Sequence, residues 1–183
     1  MKRIIFSLLC SAAFYSSSIA QKFYTKNGSI SFFSKTALED IKADNNQVMA
    51  VINTQSGELQ FSLLIKGFHF KKALMEEHFN ADYMESDKFP KSTFKGIITD
   101  MSKVNFTKDG VYNVPVSGDL TIHGVTKKAN TNSTITVKDG KISGAAKFTV
   151  TVADYNISIP KIYRDNIAKT VEITVAGNYD QKL

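Results

Sequence analysis

Three histidines, 17 carboxylates and one cysteine are the groups in this 183-residue chain that could do chemistry. Their spacing supports little of it. His69 and His78 flank the start of a polar block, 75–96, that reads MEEHFNADYMESDKFPKSTFKG, and His123 lies in Ile122-His123-Gly124-Val125. Zinc takes three or four ligands, and only His69, His78 and a carboxylate such as Glu76 could be forced together. No H-E-x-x-H, C-x-x-C, G-x-S-x-G or P-loop pattern occurs. The expectation is therefore no catalytic residue, no metal and no cofactor. Leu74 and His78 are four apart, as are Met75 and Phe79, so the block opens as a helical turn. His78 shares a face with Leu74, which would let it offer one polar contact to a ligand head group. An enzyme built on this chain would have His78 as its only acid or base.

The elements that must position these groups read as strands. Every second residue is apolar through Leu59, Phe61, Leu63 and Ile65. The same holds for Tyr112, Val114, Val116, Leu120 and Ile122, and again for Ile142, Ala146, Phe148, Val150 and Val152. Val171, Ile173 and Val175 form a last run, and the intervening positions are mostly Ser, Thr, Lys, Asp and Glu. Such alternation fits antiparallel strands with one buried and one wet face. Asn27-Gly28, Ser56-Gly57, Asp109-Gly110 and Asp139-Gly140 read as turns. The phase breaks across Ala153-Asp154-Tyr155-Asn156, where a bulge or bend is expected. Pro115, on the polar phase, should mark an edge or bulge. About eight strands result, with a helical insert near residues 71–80 and a second short turn near Leu38 to Ile41. The fold class is all-β, an eight-stranded antiparallel barrel, since closure removes exposed edges.

The first twenty residues read as a secretory signal: Lys2 and Arg3, an apolar run from Ile4 to Tyr15, then Ser18-Ile19-Ala20 before the cut. The run is too short for an ordinary membrane span. Cys10 follows Ser7-Leu8-Leu9, but Leu9 is too large for a lipidation signal. Residues 21–183 then form one domain, periplasmic or secreted, without thiol or disulfide. Loss of Lys2 and Arg3 lowers the net charge by two from +6, a mild excess that reads as solubility. Lys71-Lys72 and Lys127-Lys128 are pairs rather than a stripe, so nucleic acid is not an expected partner.

Aromatic residues are plentiful. There are 13 Phe and 7 Tyr, and only Phe6, Phe14 and Tyr15 fall in the leader. They can pack an ordinary core or wall an apolar tunnel. An eight-stranded barrel is at the size where either holds. A ten-residue strand spans about 33 Å, a length that suits an extended lipid chain.

Four segments carry a resemblance to a known family. They are His78-Phe79-Asn80; Phe89-Pro90-Lys91-Ser92-Thr93-Phe94; Gly118 to Lys127, reading GDLTIHGVTK; and Phe148 through Asp154-Tyr155-Asn156-Ile157. In this order the chain resembles the YceI-like family of exported bacterial proteins, from about Gly28 to Val175. Phe23 to Ser34 and Pro160 to Ala168 match no family signature. The resemblance implies an extended, lipocalin-like barrel that binds a polyisoprenoid, such as an isoprenoid quinone or prenyl phosphate, as carrier or store. Membrane contact would be transient. Phe61, Leu63, Phe79, Phe94, Leu120, Ile122, Phe148 and Val150 are the expected lining, with His78 and Tyr155 toward a polar end. The alternative is a structural or interaction barrel with a filled core and no lipid.

Overall fold

The computed structural model describes residues 21–183. The leader read at 1–20, its cleavage site and Cys10 lie outside the described residues. Eight long strands form the body: β1 (Lys22–Lys35), β2 (Asp40–Asn53), β3 (Glu58–Leu64), β5 (Lys91–Ile98), β6 (Gly110–Ile122), β7 (Val125–Lys138), β8 (Lys141–Thr151) and β9 (Thr170–Tyr179). Two-residue strands β4 (His69–Phe70) and β10 (Gln181–Lys182) are added to β2 and β1. Each long strand pairs antiparallel with the next, and β1 pairs with both β2 and β9. The sheet therefore closes into the expected barrel. Closure leaves no long strand wholly unpaired on either side.

Period two sets what faces inward. On β6 the buried positions are Val114, Val116, Gly118 and Leu120, while Val111, Asn113 and Asp119 are exposed. On β7 Ser133, Ile135 and Val137 are buried, and Lys128, Asn130 and Asn132 face out. Two hairpins have two-residue turns with both residues at positive φ: His123–Gly124 (50° and 73°) and Asp139–Gly140 (51° and 72°). This turn type matches the twist of paired strands.

Several local expectations are corrected. Asn27-Gly28 is not a turn. It lies inside β1 as a bulge, where the register with β2 shifts on both sides of Gly28. Residues 36–39 form a tight β1–β2 connection rather than a helical turn, with Thr36 Oγ1 accepting from the Leu38 and Glu39 amides. The phase break after Val152 is not a bulge within a strand: β8 ends at Thr151, and Val152–Tyr155 is a 3₁₀ turn stopped by Asn156 at φ 57°. Pro115 lies in an interior strand, just past the end of the β5 ladder at Ile98↔Val116. Its carbonyl accepts from the Thr99 amide, so its own nitrogen faces Thr99, and the β5 ladder ends where the proline has no N–H to return the bond.

The two ends of the barrel differ. At one end lie the Ser56–Gly57 turn, residues 99–109 and the β7–β8 hairpin. Here the interior is solid: Ile52, Ile98, Val114, Val137 and Ile142 are each at most 3% exposed, with Phe23, Met101 and Phe106 packed against them. At the other end two seams open. The β7–β8 ladder stops at Ser133↔Ala146, leaving the far halves of both strands unpaired with each other. The β2–β3 ladder covers only Met49–Ile52. Residues 65–90 fill that second seam. The buried Asn45 side chain donates to the Leu64 carbonyl (2.9 Å), and β4 resumes pairing with β2 at Ala43 and Asp44.

Candidate functional site

The open half of the barrel encloses a cavity of about 600 Å³. It is hollow because the inward positions of two adjacent strands are small: Ala129, Thr131 and Ser133 on β7, Gly144 and Ala146 on β8. Bulk comes from the other side. Phe61 on β3 and Phe94 on β5 are 6.2 Å apart at their ring centroids. Phe94 lies flat over the cross-strand pair Gly96↔Gly118. A Cβ on either glycine would come within 2.4 or 2.6 Å of the ring, so both must be glycine for Phe94 to lie there. Leu59, Val116, Ile135 and Tyr179 form the floor, shared between the cavity and the solid core.

The helical insert covers the opposite end. Helix α1 (Ala73–His78) continues as a π-helical turn, Phe79–Tyr83. Glu85, at φ 41°, stops it. Four rings pin the insert to β1: Phe79 stacks on Phe32 at 5.4 Å and meets Phe70 at 5.0 Å and Phe68 at 5.6 Å. The Glu76 carboxylate accepts from the Phe70 amide and holds the helix start in place.

All ten residues singled out from the sequence border this cavity: Phe61 and Leu63 from β3, Phe94 from β5, Leu120 and Ile122 from β6, Phe148 and Val150 from β8, Tyr155 from the 3₁₀ turn, and His78 and Phe79 from the insert. One orientation is corrected. His78 is exposed on the rim, with Nδ1 2.6 Å from Asp82 Oδ2, and does not point into the interior. The helix turns Met75 and Phe79 inward instead: both are half-buried on the cavity wall, and Phe79 stacks on Phe32. Tyr155 is buried. Burial, and next the Asp154 charge, hold its hydroxyl above the usual tyrosine range, so it stays a neutral donor.

Sequence reasoning missed three parts of the site. Phe32 and Phe70 lie in short or irregular stretches whose phase was not read. Ile162, Tyr163, Asn166 and Ile167 come from the 152–169 connection, which has no period to follow. The third part is polar and crosses the mouth. Glu39 takes Lys72 Nζ at 3.0 Å and the Asn166 amide at 3.4 Å, linking the β1–β2 turn, the insert and the 152–169 connection. Ser34, buried on β1, accepts from the Ala168 amide at 2.9 Å and fixes the base of that connection.

Beside the mouth, segments of the sequence resemblance converge. Phe89 packs edge-on against His123 at 4.4 Å. His123 Nε2 meets Glu85 Oε2 at 2.9 Å, and Nδ1 meets the Tyr155 carbonyl at 3.1 Å. Both partners are acceptors, so this clamp is complete when both ring nitrogens carry protons. It joins the end of the insert, the β6–β7 hairpin and the 3₁₀ turn. The hydrogen bond from His123 is the main reason the Glu85 carboxyl lies below its usual range, with Lys88 adding a smaller effect.

The fold has known counterparts. A polyisoprenoid binding domain from Saccharophagus degradans, implicated in plant cell wall breakdown, has the same fold at a TM-score of 0.73 and 17% identity, over 86% of this chain and 95% of that one. Burkholderia cenocepacia BcnA matches at a TM-score of 0.66 and 16% identity, over 81% of this chain and 94% of that one. A Campylobacter jejuni YceI protein matches at 0.50 and 18%, over 99% and 91%. No curated protein matches the sequence significantly. The YceI-like domain model matches residues 10–179, nearly the whole chain, and the chain belongs to the YceI-like family.

Proposed function

We propose that this protein is an exported carrier or store for a polyisoprenoid lipid, held in the open half of the barrel. The observation that carries the reading is the cavity itself. Its volume of about 600 Å³ lies within the usual ligand-site range of roughly 300–1,000 Å³. Its walls are almost wholly apolar, and its ionisable lining groups outside the tyrosines, Glu39, Lys72 and His78, are all at the mouth. Affinity would come from burial. Three isoprene units, at about 0.8 kcal/mol per enclosed carbon group, contribute about 12 kcal/mol before association costs. The lipid bound by the Saccharophagus degradans domain, whose fold this chain shares, favours the same ligand class. A binding role fits better than an enzymatic one, since the single acid–base candidate, His78, is held at the rim by Asp82.

Loading would take place during transient contact with a membrane. Leu38, Leu74, Ile162 and Tyr163 ring the mouth from three separate elements and are all exposed. Lys35, Lys71, Lys161 and Arg164 lie exposed nearby among Asp40, Glu77 and Asp165, so the rim around these apolar residues carries mixed charge able to meet lipid head groups.

Native mass spectrometry of the protein produced with its leader in a bacterial host, followed by lipid extraction, tests the reading. A bound mass with isoprene spacing is expected. A bare protein mass, with no uptake of added quinone or prenyl phosphate, would leave the alternative of an interaction barrel whose hollow is incidental.

A further inference from the structure

The floor of the cavity holds two hydroxyls that open onto it and bond to nothing in the protein. Tyr179 on β9 is 3% exposed and Ser133 on β7 is 8% exposed, and both line the cavity. Neither hydroxyl has a hydrogen-bond partner among the described residues. Their oxygens face the cavity rather than the protein, so the groups that can pair with them are those of whatever fills it.

Their direction follows from the register. Tyr179 pairs with Ile142 at the solid end, and Gly144 is the next inward residue of β8 toward the mouth. A Cβ on Gly144 would lie 3.4 Å from Tyr179 Cε2 and 3.8 Å from its hydroxyl. The ring therefore leans up the barrel from its own pairing position, over the space that Gly144 leaves open, and its hydroxyl points toward the mouth. Ser133 pairs with Ala146, one inward position higher. The two hydroxyls are thus neighbours on one side of the floor.

The charge around them selects the head group. No Lys, Arg, Asp or Glu lines this end of the cavity; the charged lining groups are at the mouth, where Lys72 is already paired with Glu39. A phosphate at the floor would be a buried charge without a counter-charge, which is strongly unfavourable. A neutral carbonyl or hydroxyl oxygen carries no such penalty and accepts from both donors. Burial also raises the ionisation range of Tyr179, which keeps its proton in place.

Resting on the lipid-binding reading above, we infer that Tyr179 and Ser133 form a polar anchor at the floor of the cavity. It takes the neutral oxygen of a quinone-like or alcohol-like lipid that enters head first, with its isoprenoid tail toward the mouth.

The test uses menaquinone-4 and phytane, an isoprenoid hydrocarbon with no oxygen, as probes of the wild-type protein and of Tyr179→Phe and Ser133→Ala. One lost hydrogen bond should weaken menaquinone-4 about three- to tenfold and leave phytane unchanged. The infrared carbonyl stretch of the bound quinone should lie lower in the wild type than in Tyr179→Phe. Since the hydroxyl is unpaired in the free protein, the ligand-free Tm of Tyr179→Phe should stay level or rise. Equal affinities and equal carbonyl frequencies in both proteins would put the quinone ring elsewhere and overturn the anchor while lipid binding stood. A clear fall in the ligand-free Tm would mean the hydroxyl already has a protein partner, and would overturn it too. Failure of the wild type to take up either probe would overturn the anchor together with the reading it rests on.

Discussion

Gly144→Val should close the floor of the cavity without harming the fold. Gly144 sits on β8 between Ile135 of β7 and Gly177 of β9. A Cβ there meets Ile135 Cδ1 and Tyr179 Cε2 at 3.4 Å each, which is ordinary contact. Valine also suits a strand interior better than glycine does. Its three carbons would occupy space that a ligand reaching the floor now fills. Three displaced methylenes at about 0.8 kcal/mol each amount to about 2.4 kcal/mol, roughly a 50- to 60-fold rise in Kd. Retinol fluorescence reads this directly. Gly118→Val is the contrast. Its Cβ would fall 2.5 Å from both Gly96 Cα and the Lys95 carbonyl and 2.6 Å from the Phe94 ring. Backbone cannot yield as a flexible side chain can, so this variant should lose about 2 kcal/mol or more of stability. Wild-type retinol affinity in a folded Gly144→Val protein would refute the claim that ligand reaches the floor. A stable Gly118→Val protein would refute the packing argument for Phe94.

Three further outcomes are expected. The Glu85 carboxyl is held low in the folded state. Its contribution should be full above the ordinary glutamate range, about 4.3, and lost as pH falls through the lower folded value; Tm against pH from 6 to 3 should show Glu85→Gln below wild type at pH 6 and the two curves converging in acid. Lys72→Ala breaks a largely exposed ion pair, so stability should change by less than about 1 kcal/mol, while retinol release, followed by stopped flow, should quicken several-fold as the mouth loses its tie; an unchanged rate would remove the Glu39–Lys72–Asn166 link from the exit path. Leu38→Ser with Ile162→Ser should abolish co-flotation with phosphatidylglycerol vesicles and leave retinol affinity intact; undiminished flotation would move membrane contact away from the mouth.

What could be read from the sequence follows from where regular period reaches. In β6, β8 and β9 alternation runs unbroken, so Leu120, Ile122, Phe148 and Val150 could be assigned to the inner face from sequence alone. Asn27-Gly28 looked like a hairpin turn because the same dipeptide serves turns and bulges, and only pairing with β2 and β9 on both flanks decides between them. The outward turn of His78 was hidden for a similar reason. A helix face is defined by period, but which face meets the barrel was decided by Phe79 reaching Phe32, a contact across 47 positions of sequence. Tyr179 lies past the last run read from the sequence, which ends at Val175. Its role at the cavity floor depends on the missing side chain at Gly144, on a different strand.

Alternation places apolar residues inside, but it does not say whether the inside is full. That depends on side-chain volume summed across a layer of the barrel, and the register makes the layers legible. Gly110, Val137, Ile142 and Tyr179 align across β6 to β9 at the solid end. One inward step toward the mouth the layer is Tyr112, Ile135, Gly144 and Gly177, and the next is Val114, Ser133, Ala146 and Val175. Volume on the β8 side falls within a single step, and two inward positions later the β7–β8 ladder has ended. A cavity opens there because small residues and a parted seam coincide, and interiors tolerate few such voids unless something fills them. The same step sets Tyr179 beneath the opening with its hydroxyl unpaired. The hollow and its one deep donor pair therefore have a common origin in the glycine and alanine of β8, and filling Gly144 should remove both the room for the tail and the approach to the anchor.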